Sequence, residues 1–398
     1  MDGHVNGTVV LKQGRAKPAL QRHPWVFSGA IERIEGAPTD GDIVDVRDAG
    51  NNWLARGYLN RQSQIVVRLL TWHQDQAIDA DFWRRRLAQA VSGRHRLAGD
   101  PSTTAYRLVH AESDYLPGLV VDRYGDWLAV QFLTQGVERW RAEIVSALVS
   151  LVTPKGVYER SDVDVREREG LPQRRGLVWG EEPPEHIEIV ENGHRLPVDI
   201  REGQKTGAYL DQRENRARLA PFCLGADVLD AFSYTGAFAV AAAAAGAERV
   251  TLVDSSGPAL DLARRAMALN GYQRADYVEG DVFSVLRKYR AERRTFNVIV
   301  VDPPKLAASS REVERASRAY KDVNLLAFQL LQPGGILFTT SCSGAVSADL
   351  FQKIIFGAAL DAGREAQIVG WLSQGSDHPV ALTFPEGLYL KGLICRAL

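Results

Sequence analysis

Asn297-Val298-Ile299-Val300-Val301-Asp302-Pro303-Pro304-Lys305 is an apolar run that stops at an acid followed by two prolines. A run with no polar alternation predicts a strand covered on both faces, as in a parallel sheet flanked by helices. The prolines fix φ and remove two backbone donors, so the chain must leave the strand as a rigid, extended turn. Ligands of open α/β sheets bind outside the carboxyl ends of the strands, and Asp302 is aimed at that crevice. Its alternative use is to cap a following helix.

Working outward, strands are expected near 227–231, 249–253, 275–279 and 335–340 as well, with helical segments between them from Phe222 onward. This alternation predicts an α/β, Rossmann-like fold. Asp230-Ala231-Phe232-Ser233-Tyr234-Thr235-Gly236 joins the first strand to an alanine-rich helix, and Gly236 is its only glycine. It lacks the three glycines that bring a backbone close to a dinucleotide pyrophosphate, so a smaller adenosine ligand without phosphate fits better. Asp254 and Ser255 close the second strand, where an acid receives ribose hydroxyls; Asp281 and Val282 follow the third, where an acid accepts the adenine amine. Each acid alone is equally a helix N-cap. Together with Asp302, the series Asp230, Asp254 and Asp281 predicts an S-adenosylmethionine site, with Phe232, Ser233, Tyr234 and Gly236 as further contacts.

The fifth strand, Gly335-Ile336-Leu337-Phe338-Thr339-Thr340, leads into Ser341-Cys342-Ser343-Gly344. Cysteine is commonly a buried small hydrophobe. Here Ser and Gly flank it and the expected methyl donor is adjacent, so Cys342 is a candidate nucleophile, reactive only as thiolate. Cys223 and Cys395 sit in apolar runs and are expected to be structural.

The chain before this sheet has a different texture. Up to about Trp72, short strands such as Ile43–Val46 and Ile65–Leu70 with turn punctuation predict a small β-barrel. A helix is expected over 81–97 with Asp79 or Asp81 as N-cap. A strand-rich α+β segment begins near Tyr106, with a hairpin around Tyr124-Gly125, a helix over 140–152 and a strand at 156–158. Residues 162–185, rich in charge, Gly and Pro, are expected to form a loop, and Asn192-Gly193 a hairpin turn. The division is therefore 1–72, 73–198 and 199–398.

With 398 residues, 45% of them hydrophobic and 24% charged, the chain has enough material for two or three ordinary domains. Three widely spaced cysteines, with no CxxC pair, argue against a disulfide framework or a zinc site and suit a reducing cytoplasm. No signal-peptide pattern opens the chain, and Ala241–Ala245 is too short to span a membrane. The net charge of −1 does not advertise a nucleic-acid binder, but arginines cluster at 84–86, 213–218 and 287–294. Such clusters bind phosphate or serve as solvated helix faces.

VDPPK and TTSCSG, preceded by GQKTGAYLDQREN and LDAFSYTGAF, resemble the RlmI-type rRNA large-subunit cytosine-C5 methyltransferases, and the resemblance covers almost the whole chain. Arg22-His23-Pro24-Trp25-Val26-Phe27-Ser28-Gly29-Ala30 resembles that family's N-terminal PUA RNA-binding domain. The resemblance implies 23S rRNA as partner, no membrane, and a covalent mechanism. Cys342 would attack cytosine carbon 6, and Asp302, protonated at that moment, would hold N3 and the amine. It further implies that Tyr209 and Gln212 touch the cofactor while Lys205 and Arg213 hold carboxylate or phosphate, against the reading of that stretch as a turn with surface charges. Arg22 and Trp25 would grip RNA, and a homodimer stays open. The proline motif has Lys305 where two-cysteine enzymes place a second Cys. Glu386, by similarity to uracil methyltransferases, and His378 are candidates for the base that frees Cys342, or else structural or RNA contacts. Two other readings stay open: a guanine methyltransferase with Cys342 a bystander, and a non-catalytic RNA-binding assembly factor.

Overall fold

Backbone pairing follows the apolar pattern in most places and departs from it where arginines or sheet edges intervene. The computed structural model describes residues 4–398. They divide into two units: the first runs through Ile187 and takes in Val198–Ala208 and Asp377–Gly387; the second holds Glu188–Pro197, Tyr209–Ser376 and Leu388–Leu398.

The first unit begins with β1 (Gly7–Leu11), α1 (Lys17–Leu20), β2 (Trp25–Phe27), β3 (Ile31–Gly36), β4 (Ile43–Arg47), β5 (Trp53–Leu59) and β6 (Ile65–Thr71). The sheet order is β2-β6-β5-β4-β1-β3, and alternate residues such as Val9, Leu11, Val44, Val46, Leu59 and Val67 fill its core. Next come α2 (Ala80–Ser92), α3 (His95–Ala98), β7 (Ala105–His110), β8 (Leu119–Tyr124), β9 (Trp127–Phe132), α4 (Gln135–Arg139), α5 (Arg141–Val152), β10 (Gly156–Ser161), α6 (Val165–Arg168) and β11 (Arg174–Gly180). These strands form a second sheet in the order β11-β10-β9-β8-β7, and α2 and α5 share its apolar core.

Two expectations need correction here. The helix expected over 81–97 starts as foreseen, with the Asp79 carboxylate accepting from Phe82 N, but it ends at Ser92. Arg94 leaves helical geometry; its buried guanidinium makes two 2.7 Å bonds to Asp114 and others to the carbonyls of Ala90, Arg107 and Asp377. That network outweighs one more helical turn. The stretch 162–185 is not all loop, because α6 and β11 lie in it. β11 pairs antiparallel with β10 at the sheet edge, with mostly exposed side chains. An edge strand needs backbone pairing on one side only, so it can form without an apolar face.

The second unit opens with a hairpin, β12 (Ile187–Glu191) and β13 (His194–Val198), whose turn residues Asn192 and Gly193 both have positive φ, as a two-residue type I′ turn requires. After α7 (Arg213–Ala217) the chain alternates: β14 (Asp227–Ala231), α8 (Ala237–Ala244), β15 (Arg249–Asp254), α9 (Gly257–Leu269), β16 (Ala275–Glu279), α10 (Val282–Ala291), β17 (Phe296–Val301), α11 (Val313–Leu330), β18 (Leu331–Ser341) and α12 (Ala348–Asp361). β19 (Ala366–Ser373) and β20 (Lys391–Ala397) complete a seven-stranded sheet in the order β16-β15-β14-β17-β18-β20-β19. β14 to β18 are parallel, and β20 runs antiparallel to both its neighbours. The order reverses at β14, so the ends of β14, β15 and β17 flank the crevice where such sheets bind ligands.

Candidate active site

Register brings the expected residues to one level. Val253, Ala231, Val301 and Thr339 lie side by side across four strands, so the residues that follow them, Asp254, Phe232, Asp302 and Thr340, stand level at the carboxyl edge. The crossing after β14 is tightly wound: Phe232, Tyr234 and Gly236 all have positive φ. A non-glycine residue there stores about 1–3 kcal/mol of strain, and two in one turn mark a functional loop. At Gly236 a side chain would also be blocked, since a Cβ would meet Ala263 at 2.8 Å and Leu252 at 3.0 Å.

The Asp254 carboxylate holds this turn in place, accepting from Tyr234 N at 2.8 Å and Ser256 N at 2.9 Å. Asp230 is 1% exposed, and burial, reinforced by the charge of Asp302, pushes its carboxyl up to about 8. Its Oδ2 and the Ser233 hydroxyl are buried without a hydrogen-bond partner. Asp281 caps α10 through Ser284 N and Oγ and is exposed; Val282 is buried, and Ser255 is exposed. Acids gathered at three strand ends suit a ligand that is cationic and carries hydroxyls, and they repel a pyrophosphate. Orphaned buried oxygens at Asp230 and Ser233 fit such a ligand as well, because unmet buried polar atoms call for a partner.

Asp302 does not cap a helix. Its Oδ1 accepts from the Gln212 amide at 2.8 Å and from the Thr340 hydroxyl, and Gln212 is itself oriented by Asn215 at 2.6 Å. Tyr209 packs edge-on against Tyr234 with centroids 5.5 Å apart, and burial followed by the charges of Asp302 and Cys342 raises its phenol. Thus Tyr209, Gln212, Asp302 and Tyr234 belong to one cluster. Cys342 lies just beyond β18, partly exposed, whereas Cys223 and Cys395 are buried. Three groups near it were not foreseen: Thr340, Tyr320 of α11 and Lys391 of β20. Their one sequence signal was a lysine interrupting the apolar run Leu390–Cys395.

Other candidates have partners elsewhere. Glu386 lies 3.3 Å from His23, in the turn between α1 and β2, and buried His378 contacts Asp377 at 3.2 Å and the His110 ring at 5.1 Å. Lys205 is exposed with positive φ; Arg213 is buried, and Arg216 is buried against Glu191 at 2.5 and 2.6 Å. The cluster at 213–218 is therefore largely interior. Arg86 covers Phe82 and Tyr115, and Arg294 covers Tyr289 and Phe296. Among the described residues there is no group of three or more His, Cys, Asp or Glu placed to hold a metal, and no helix long and apolar enough to cross a membrane.

Residues 167–367 match the S-adenosylmethionine-dependent methyltransferase family, and residues 9–72 match the PUA-like domain. Fold and site thus define a class I methyltransferase with S-adenosylmethionine as its cofactor and a PUA-like domain at its N-terminus. The chain is 51% identical to ribosomal RNA large subunit methyltransferase I of Shewanella amazonensis over 98% of both chains. It is 50% identical to the protein of that name in Tolumonas auensis over 99% of this chain and 100% of that one. The chain belongs to the ribosomal RNA large subunit methyltransferase I family. A candidate SAM-dependent methyltransferase from Streptococcus mutans shares the fold, at 25% identity and TM-score 0.84 over 98% of this chain and 99% of that one. So does a methyltransferase solved with SAH, at 24% identity and TM-score 0.85 over the same shares.

Proposed function

We propose that this enzyme methylates carbon 5 of a cytosine in 23S rRNA, with Cys342 as nucleophile and Asp302 holding the base. The observation that carries the reading is a partly exposed thiol on a strand end whose neighbouring strand ends in a carboxylate already oriented by Gln212 and Thr340. S-adenosylmethionine supplies an electrophilic methyl group. Asp230, Phe232, Ser233, Tyr234, Gly236, Asp254, Ser255, Asp281, Val282, Tyr209, Gln212 and Asp302 form the pocket for it.

Cytosine carbon 5 is a weak nucleophile. When the Cys342 thiolate forms a bond to carbon 6, the electron pair of the ring double bond becomes available at carbon 5. Asp302 contacts N3 and the exocyclic amine and supports the charge that develops there. After methylation, loss of the carbon 5 proton restores the double bond and expels the cysteine. Ser341 and Ser343, both fully buried, keep the thiol from drifting during these steps.

The target base must leave its stack, at a cost of about a few kcal/mol, so grip on the surrounding RNA is useful. In the first unit, Trp25, Phe27, His23 and Arg15 line a cavity of about 220 Å³, and Phe27 is half-exposed, which supports RNA contact there. The cytoplasm, where rRNA is made and assembled in bacteria, is the expected compartment.

The test is nucleoside mass spectrometry of 23S rRNA from cells with and without the gene, complemented by wild type or by Cys342→Ala. Loss of one 5-methylcytosine that only the wild type restores is expected. Restoration by Cys342→Ala, or a methylguanine change instead, overturns the reading.

A further inference from the structure

Cys342 is bracketed by two residues that the fold immobilises. The Ser341 hydroxyl donates to Tyr320 Oη at 2.9 Å, and the same Oη lies 3.0 Å from the Ser343 hydroxyl, which accepts from Ala307 N at 3.0 Å. From the opposite side comes Lys391, cross-strand partner of Ser341. Its ammonium, on a residue only 8% exposed, donates to the carbonyls of Ser343 at 2.6 Å and Val346 at 2.8 Å.

A buried ammonium is costly unless an anion faces it. Among the described residues, the hydrogen-bond partners of Lys391 are neutral carbonyls and include no carboxylate. Burial therefore lowers its amine to about 8; the thiolate form of Cys342 works in the opposite direction, and Lys305 adds repulsion. Tyr209 and Tyr320 also face Cys342, with Asp302 next to Tyr209. Both tyrosines are raised, chiefly by burial, and stay neutral, while Lys391 and Lys305 bring positive charge to this cluster.

We propose that Lys391 is a positioning residue for the nucleophile: its ammonium stabilises the Cys342 thiolate and, by holding the Ser343 and Val346 carbonyls, fixes the loop that presents it. The inference rests on Cys342 being the nucleophile. It gives a polar function to a lysine in a strand that otherwise has the composition of a core strand.

The test is the pH dependence of Cys342 alkylation by iodoacetamide on the full-length protein, followed by mass spectrometry of the Cys342 peptide. The thiolate sulfur bonds to carbon and iodide leaves, so the rate reports the thiolate fraction. Cys223 and Cys395, 0% and 2% exposed, are expected to stay silent. The wild-type midpoint should fall below the ordinary thiol value of about 8.5. Lys391→Gln should raise it by about one unit and slow alkylation at pH 7 about tenfold, and Lys391→Arg should restore most of the shift. In parallel, Lys391→Gln should lower kcat for RNA methylation with KM for RNA unchanged. A Lys391→Gln midpoint equal to wild type overturns the inference; if that variant does not fold, a wild-type midpoint at or above about 8.5 does so. An unshifted midpoint with inactive Cys342→Ala overturns this inference alone. An active Cys342→Ala overturns the nucleophile reading and this inference with it.

Discussion

At the amino edge of the seven-stranded sheet, Asp227, Glu248 and Asp276 stand among Arg249, Arg274 and Arg294; at the carboxyl edge, Asp230, Asp254 and Asp302 are met by backbone amides, Gln212 and Thr340. The amino edge has a cavity of about 590 Å³, lined by acids and arginines alike. At the carboxyl edge Arg216 reaches Asp230 and Asp302 with its field, but its guanidinium is already bound to Glu191. The same sheet thus gives acids arginine partners at one end and neutral hydrogen-bond donors at the other. The kind of partner an acid is given, arginine or neutral donor, distinguishes the end proposed to do chemistry from the opposite end.

The contrast breaks most visibly at Cys342. Replacing it with Ala should reduce methyl transfer to rRNA by roughly three orders of magnitude or more while cofactor affinity stays within about twofold, measured by radiolabel transfer and calorimetry. Asp230→Asn comes next and acts in two directions. Cofactor affinity should fall about tenfold or more, since the amide cannot ionise to meet a cationic ligand. Thermal stability should rise, and the pH profile shows why. Below about pH 4 the native and unfolded chains both hold the Asp230 proton. Between there and about pH 8 only the native chain keeps it, so stability declines as pH rises; above about 8 the penalty is constant. The melting temperature of Asp230→Asn should therefore exceed wild type by more at pH 8 than at pH 5, and an equal gain at both would contradict the burial of this acid.

Asp281 separates structure from ligand. Ala in its place should cost about 1 kcal/mol by uncapping α10. Ser retains the cap, so Asp281→Ser should keep the melting temperature and weaken cofactor binding; unchanged binding would reduce Asp281 to its capping role. The smallest effect is expected at the amino edge, where Arg249→Gln should leave kcat and cofactor affinity unchanged and shift stability by no more than about 0.5 kcal/mol. A loss of activity there would erase the distinction between the two ends.

The parallel core was legible because strands such as Val298–Val301 carry no alternation, and the carboxylates because each closes such a strand. β19 and β20 were not foreseen: the residues between α12 and β20 are mixed in polarity, and β19 is an edge strand with Trp371 exposed. Cys342 and Asp302 announced themselves through their neighbours in sequence. Tyr320 left no local signature, and Lys391 only a lysine in an apolar run, because what joins them to Cys342 is pairing across strands and a helix packed on the sheet. The arginine cluster at 213–218 misled for a related reason. Glu191, which neutralises Arg216, sits more than twenty residues earlier, so the sequence shows a patch of charge where the fold has an interior ion pair.

The segment Asp377–Gly387 returns to the first unit after nearly all of the second has been traced. Arg94 and Arg107 of that first unit bond to Asp377, and His23 and Trp25 meet Glu386 and Phe384. During synthesis the first unit therefore emerges with partners missing until Asp377–Gly387 has been made. A nascent chain cannot finish its N-terminal half early, and a break before Asp377 injures the part of the molecule that was made first.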